Sequence, residues 1–129
     1  PQILPKGVYV VSNGLFSDAW EKTKHLRKRF TQELLPLLQL SEEQQKQYDL
    51  QYAVWDILED QRKISPELLP QTGISQDMEQ LLSSTYIESP VYGTRCSNFI
   101  QLGHNKLHWI EKTQHGQYKG HIVEKIIYL

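Results

Sequence analysis

Near residue 90 this chain changes character. Before that point apolar side chains recur at helical spacing; after it come short β-branched and aromatic runs separated by turn residues. The changeover is Ser89-Pro-Val-Tyr-Gly-Thr-Arg-Cys-Ser-Asn-Phe-Ile-Gln-Leu102. Gly93 permits a positive φ or a close backbone approach there. Arg95, at the mouth of an apolar strand, carries a fixed fork of donors suited to a carboxylate, phosphate or thiolate. Helices followed by strands predict an α+β fold, an antiparallel sheet packed with helices. At 129 residues a single domain over 1–129 is expected, burying roughly two thirds of its unfolded surface.

On the N-terminal side, Gly7-Val-Tyr-Val-Val-Ser-Asn13 reads as a buried strand, broken by Asn13-Gly14. Ser17 or Asp18 is the expected cap of a helix carrying Ala19, Trp20, Thr23, Leu26, Phe30, Leu34 and Leu37 on one stripe, which Pro36 ends or kinks. Lys22, Lys24, His25, Lys28 and Arg29 share the opposite face, read here as a solvated helix face rather than a phosphate or nucleic-acid patch. Ser41-Glu-Glu-Gln44 is a capping box that opens a helix to about Gln61. Tyr48, Tyr52, Trp55 and Leu58, with Leu50, Val54 and Ile57, predict core rather than a ligand groove. The segment 65–73 is a Pro- and Gly-punctuated loop that packs down through Leu68 and Leu69. Ser75 caps a short helix to about Ser84, with Met78, Leu81 and Leu82 inward.

Beyond the changeover three strands are predicted, Cys96 to Leu102, Leu107 to Thr113 and Tyr118 to Tyr128, joined by hairpin-length turns into a meander. Neither face is cleanly polar, which suggests a sheet covered on both sides.

Fourteen basic and fifteen acidic residues give a net charge of -1, which argues against nucleic acid as a partner. A lone cysteine, Cys96, makes no disulfide framework or CxxC pair and suggests a reducing, cytoplasmic compartment. No run approaches the ~20 apolar residues of a membrane span. His104 and His108 have ligand-like spacing but straddle a turn without companion ligands, so no metal site is expected. Nor does any motif imply a cofactor. Cys96 beside Arg95 is read as a packed strand cysteine rather than a nucleophile.

Three motifs in order resemble the NRDE family, which contains the proteins similar to transport and Golgi organisation protein 2. They are Gly7-Val-Tyr-Val-Val-Ser-Asn13 with Leu15 and Trp20, Leu69-Pro-Gln-Thr-Gly73, and Ser89-Pro-Val-Tyr-Gly-Thr-Arg95. The resemblance is to the family's C-terminal half. Its Asn-Arg-Asp-Glu motif and initiator-adjacent cysteine belong to the other half and do not occur here, so the chain is expected to be the C-terminal portion of a longer protein. The family is similar in turn to N-terminal-nucleophile hydrolases, whose αββα sandwich would make this chain one half of that fold. By that resemblance Asn13 donates to the oxyanion, Arg95 steadies the thiolate, and Trp20 and Tyr92 contact substrate. A well-placed oxyanion donor contributes ~3 kcal/mol, and an Arg beside a thiol favours the thiolate.

Two functions follow from the resemblance. One is part of a hydrolase of small amide or acyl substrates whose nucleophile lies outside this chain. The other is a non-catalytic binding or trafficking module, in keeping with family relatives linked to secretory-pathway organisation and to haem or lipid handling. If a further half normally supplies a second sheet, one face here should be exposed or meet a partner. Phe99, Trp109, Ile122, Ile126 or their neighbours would line it, and a homodimer through that face is expected.

Overall fold

The computed structural model describes residues 3–12 and 20–129. The chain divides into two compact units, Pro1–Thr85 and Tyr86–Leu129. The first is helical and the second is built on one antiparallel sheet, which is the α+β class expected.

In the first unit, residues 7–12 are irregular rather than a strand. A β-branched run forms a strand only against a ladder partner, and no described strand pairs with it. The break and caps expected at Asn13, Gly14, Ser17 and Asp18 lie outside the described residues. Helix α1 spans Glu21–Arg29, following Trp20 in extended conformation. Glu21 in its first turn and Arg27, Lys28 and Arg29 in its last complement the helix dipole. A π turn, Phe30–Leu34, carries it into α2, Leu35–Leu38. Pro36 therefore neither ends the helix nor stands inside a regular one. Its ring lacks an N–H and crowds the carbonyl four residues back, and the wider turn just before it relieves that crowding.

The capping box at Ser41 and Gln44 forms, yet the helix it starts, α3, covers only Glu42–Gln45. A new helix, α4, runs Leu50–Leu58, capped by Asp49, whose side chain accepts from the Tyr52 N–H at 2.8 Å. The single helix expected over 41–61 is thus two. An aspartate one turn before the apolar arc offers its carboxylate to an N–H that a continuous helix would have bonded to the Tyr48 carbonyl. The consequence for packing is that Tyr48 and Tyr52 are exposed, while Val54, Trp55 and Ile57 join Leu34 in the core. A 3-10 turn, Pro66–Leu68, and α5, Gln76–Leu81, complete the unit, with the Ser75 cap formed as expected. Leu68 and Met78, expected inward, are exposed. The buried member of α5 is Glu79, whose carboxylate accepts from the Thr72 N–H and hydroxyl at 2.8 and 2.5 Å.

The basic face of α1 is only partly solvated. His25 Nε2 meets Asp60 Oδ2 at 2.8 Å. Arg29 reaches Glu33 at 2.7 Å, the Asp56 carbonyl at 2.9 Å and Asp60 at 3.2 Å, and also pairs with the Asp56 carboxylate. These contacts fasten α1 to α4 and to the residues that follow it. Burial opposes ionisation of Asp60, but the N–H of Arg62, His25 and Arg29 outweigh it, and its pKa lies below the ordinary 3.8.

In the second unit β1, Cys96–Leu102, pairs antiparallel with β2, Lys106–Thr113, which pairs antiparallel with β3, Ile122–Tyr128. The third strand begins later than Tyr118. Gly116 and Gly120, at φ 78° and 87°, make residues 116–121 a turn, closed by Gly120 N–H on the Thr113 carbonyl at 2.8 Å. The register sets Phe99, Ile110 and Glu124 in one cross-strand row and Ile100, Trp109 and Lys125 in the next, on opposite faces. Ile110 is 2% exposed and Ile100 is 61% exposed. The sheet is therefore covered on one face of β1 and β2, not on both, and every residue of β3 is exposed.

The carboxylate of Asp60 gives the first unit a defined acid sensitivity. Its pKa is lowered on folding, so its contribution is complete above the unfolded value of about 3.9 and is lost as pH falls through the lower folded value. The urea-unfolding free-energy difference between wild type and Asp60→Asn should be constant above about pH 5 and should shrink below about pH 4. A difference that persists unchanged at acid pH would show that the cluster contributes nothing through ionisation.

Candidate functional site

The changeover segment folds as a small antiparallel turn. Glu88 and Gly93 form a bridge, Thr94 N–H donates to the Ile87 carbonyl at 2.8 Å, and Ile87 N–H donates to the Thr94 hydroxyl at 3.0 Å. Across the tip, Ser89 Oγ accepts from the Tyr92 N–H at 3.0 Å and donates to its carbonyl at 2.7 Å. Lys119 pairs with Glu88, tying the tip to the β2–β3 connection. Of the two uses open to Gly93, the structure selects close approach. A Cβ there would sit 3.0 Å from the Ile87 carbonyl oxygen, and its φ is not positive.

Two of the expected site residues are on this corner. Tyr92 is exposed at the tip. Arg95 is exposed at the entrance to β1, and its carbonyl accepts from Gln114 N–H at 2.9 Å. The Arg95 guanidinium has no carboxylate partner among the described residues. Trp20 belongs to the first unit, where it is half-buried and carries the Lys22 ammonium 5.4 Å from its ring centroid. Lys22 also donates to the Leu82 carbonyl at 3.0 Å, and burial lowers its pKa against the pull of Glu79. Asn13 lies outside the described residues.

Cys96 was expected to pack as a buried hydrophobe and is instead exposed. Its place in the register explains this. Cys96, Asn98, Ile100 and Leu102 all point to the uncovered face of β1, whereas Ser97 is buried. Asn98 accepts from Trp109 Nε1 at 2.8 Å and donates to the Cys96 sulfur at 3.6 Å. His108 meets Glu124 at 2.6 Å, and His104 lies in the turn between β1 and β2.

The open face is the feature that residue patterns had placed only loosely. Across it Ile100, Leu102, Leu107, Trp109, Val123 and Ile127 are neighbours, with Glu111 and Lys125 set among them. Of the residues expected to line an exposed face, Trp109 is on this one, while Ile122 and Ile126 are exposed on the other side of β3 and Phe99 is half-buried. Alternation alone could not decide between the faces, because both carry apolar side chains on β3.

Gly93→Ala should destabilise the second unit by ~1–3 kcal/mol. The Ile87 oxygen it would crowd is already held by the Thr94 N–H and has little room to shift. Urea unfolding read from the sheet measures this, and a change within ~0.5 kcal/mol would show that the turn can open without cost.

The order of motifs, the turn built around Gly93 and the three-stranded meander now stand together with a comparison of families. The model of the family described as Transport and Golgi organisation 2 matches residues 1–116. No curated protein and no solved structure gives a match. The match covers most of the sequence, and the chain belongs to the Transport and Golgi organisation 2 family.

Proposed function

We propose that this chain is a non-catalytic binding module serving the transport and Golgi organisation role of its family, and that its working surface is the open sheet face. The observation that carries this reading is the cross-strand apolar cluster of Ile100, Leu102, Trp109 and Ile127, left uncovered in a chain that buries its other sheet face at Ile110. The occupant that fits best is a second copy of the same sheet. A two-fold interface must be self-complementary, and this face carries an acid, Glu111 on β2, and a base, Lys125 on β3 in the Trp109 row, neither in an ion pair among the described residues. With both charge signs on one face, a carboxylate of one copy can meet an ammonium of the other while the apolar side chains pack. Balanced charge and a lone cysteine suit a cytoplasmic setting for such a module. Among the described residues no helix is long and apolar enough to cross a membrane.

The Arg95 guanidinium, with no carboxylate partner among the described residues, favours a second reading. In it the chain is part of an amide or acyl hydrolase of the N-terminal-nucleophile kind. Arg95 steadies a thiolate supplied from outside residues 1–129, Asn13 donates to the oxyanion, and Trp20 and Tyr92 contact the substrate. An exposed arginine without a carboxylate is available to an external thiolate in a way that an internally paired one is not.

Sedimentation equilibrium separates the two. The wild-type chain should associate to a dimer in a concentration-dependent manner, and Ile100→Glu or Leu102→Glu should leave a folded monomer. A wild-type chain that stays monomeric at high concentration would overturn the binding reading. For the hydrolase reading, Arg95→Ala in a protein carrying the nucleophilic thiol should slow its alkylation at neutral pH on the order of tenfold. Equal alkylation rates would remove Arg95 from catalysis.

A further inference from the structure

A cleft of about 240 Å³ opens in the first unit between α1 and the segment that follows α4. The helix contributes Glu21, Lys24, His25 and Lys28, which recur every three to four residues and so share one side. The opposing wall is Arg62, Lys63, Ile64 and Ser65, with Leu68 of the 3-10 turn beyond. This wall is held at both ends. Arg62 N–H donates to Asp60 Oδ1 at 2.8 Å, and Ile64 N–H donates to Ser83 Oγ at 3.0 Å. Asp60 also holds His25, so one carboxylate fixes the spacing of both walls.

The charges of the cleft do not cancel. Glu21 is the one acidic residue in its lining and is paired with Lys24 at 2.5 Å. The nearby acids are occupied as well: Asp60 by His25, Arg29 and the Arg62 N–H, and Asp56 and Glu33 by Arg29. Lys28, Arg62 and Lys63 are left with no acidic partner among the described residues, yet they converge on one concavity. In a chain of net charge -1 this is a local concentration of cations, not a reflection of overall basicity. Ile64 and Leu68 add an apolar floor beside it.

We propose that this cleft binds the phosphate group of a small phosphorylated molecule. Arg62 offers a planar fork for two phosphate oxygens, and Lys28 and Lys63 supply point charges from the two walls. The apolar floor receives the body of the ligand. The volume suits a phosphate with a small substituent rather than a whole drug-sized molecule. The phosphate can belong to a free metabolite or to a phosphomonoester lipid headgroup, and the two are distinguished by experiment.

The test titrates the full chain, isotopically labelled, with inorganic pyrophosphate at fixed ionic strength and follows backbone amide shifts. A parallel titration uses phosphatidylcholine vesicles with and without phosphatidic acid. Saturable shifts confined to residues 24–28 and 62–65 are expected. Arg62→Ala and Lys63→Ala should each weaken binding on the order of tenfold. Lys46→Ala, a surface lysine paired with Glu43 outside the cleft, should leave it unchanged. Response to pyrophosphate assigns a soluble ligand, and response only to vesicles containing phosphatidic acid assigns a headgroup; either supports the site. Shifts scattered over all surface lysines, equal binding by Arg62→Ala and Lys63→Ala variants with native amide spectra, or no saturable response to either probe would overturn it.

Discussion

Much of the helical unit is organised by a single carboxylate. Asp60 accepts from His25 and Arg29 of α1 and from the backbone of Arg62, so helix, helix terminus and following loop share one partner. An isolated surface ion pair is worth little, because screening and side-chain entropy offset the attraction. Here the geometry differs from that case. Arg29 is planar, bonded on three sides and mostly withdrawn from solvent, and its hydrogen bond to Glu33 foremost raises an already high pKa further. A network of that kind orients rather than merely attracts. Its side effect is chemical: by consuming the acids around it, it leaves Lys28, Arg62 and Lys63 without counter-charges among the described residues.

The sheet unit obeys a different constraint. Antiparallel register has a period of two, so once Cys96 pairs with Thr113 every side chain on β1 and β2 is assigned a face. Ser97 and Ile110 follow one assignment into the interior, and Cys96, Asn98, Ile100 and Leu102 follow the other outward. The open face is softened by local devices. Asn98 bonds the Trp109 indole N–H, and Lys125 sits 5.8 Å from the Trp109 ring centroid. These cover part of the indole without covering the aliphatic rows on either side.

Local chemistry was the legible part of the sequence. The Ser41 capping box, the Ser75 cap, the strand at Cys96–Leu102 and the turn at Gly93 all rest on short-range hydrogen bonds and sterics, which a few consecutive residues specify. Features that depend on distant partners were not legible. The run at residues 7–12 has strand composition and no described partner, and so remains irregular. Tyr48 and Tyr52 fit the apolar arc of a continuous helix, but Asp49 captures a backbone N–H and ends that continuity. The exposure of Cys96 required knowing which face is covered, which alternation cannot say. Of the expected site, Tyr92 and Arg95 are found on one exposed corner and Trp20 is engaged with Lys22; Asn13 lies outside the described residues. Arg62 and Lys63 carry no local sequence signal, because their significance comes from Lys28, more than thirty positions earlier.

The two surfaces lie in different units and rest on opposing physics, which makes them separable in one protein. The proposed contact between sheet faces draws on apolar area, and salts that are excluded from protein surface strengthen such contacts. Phosphate held by Lys28, Arg62 and Lys63 in a cleft open to water is weakened as the Debye length shortens, from ~10 Å at 0.1 M salt to ~3 Å at 1 M. The two proposed contacts therefore differ in kind, one that persists and one that responds to its surroundings. Charge suits the second because counter-ions compete with it directly, whereas an apolar sheet face has no such competitor.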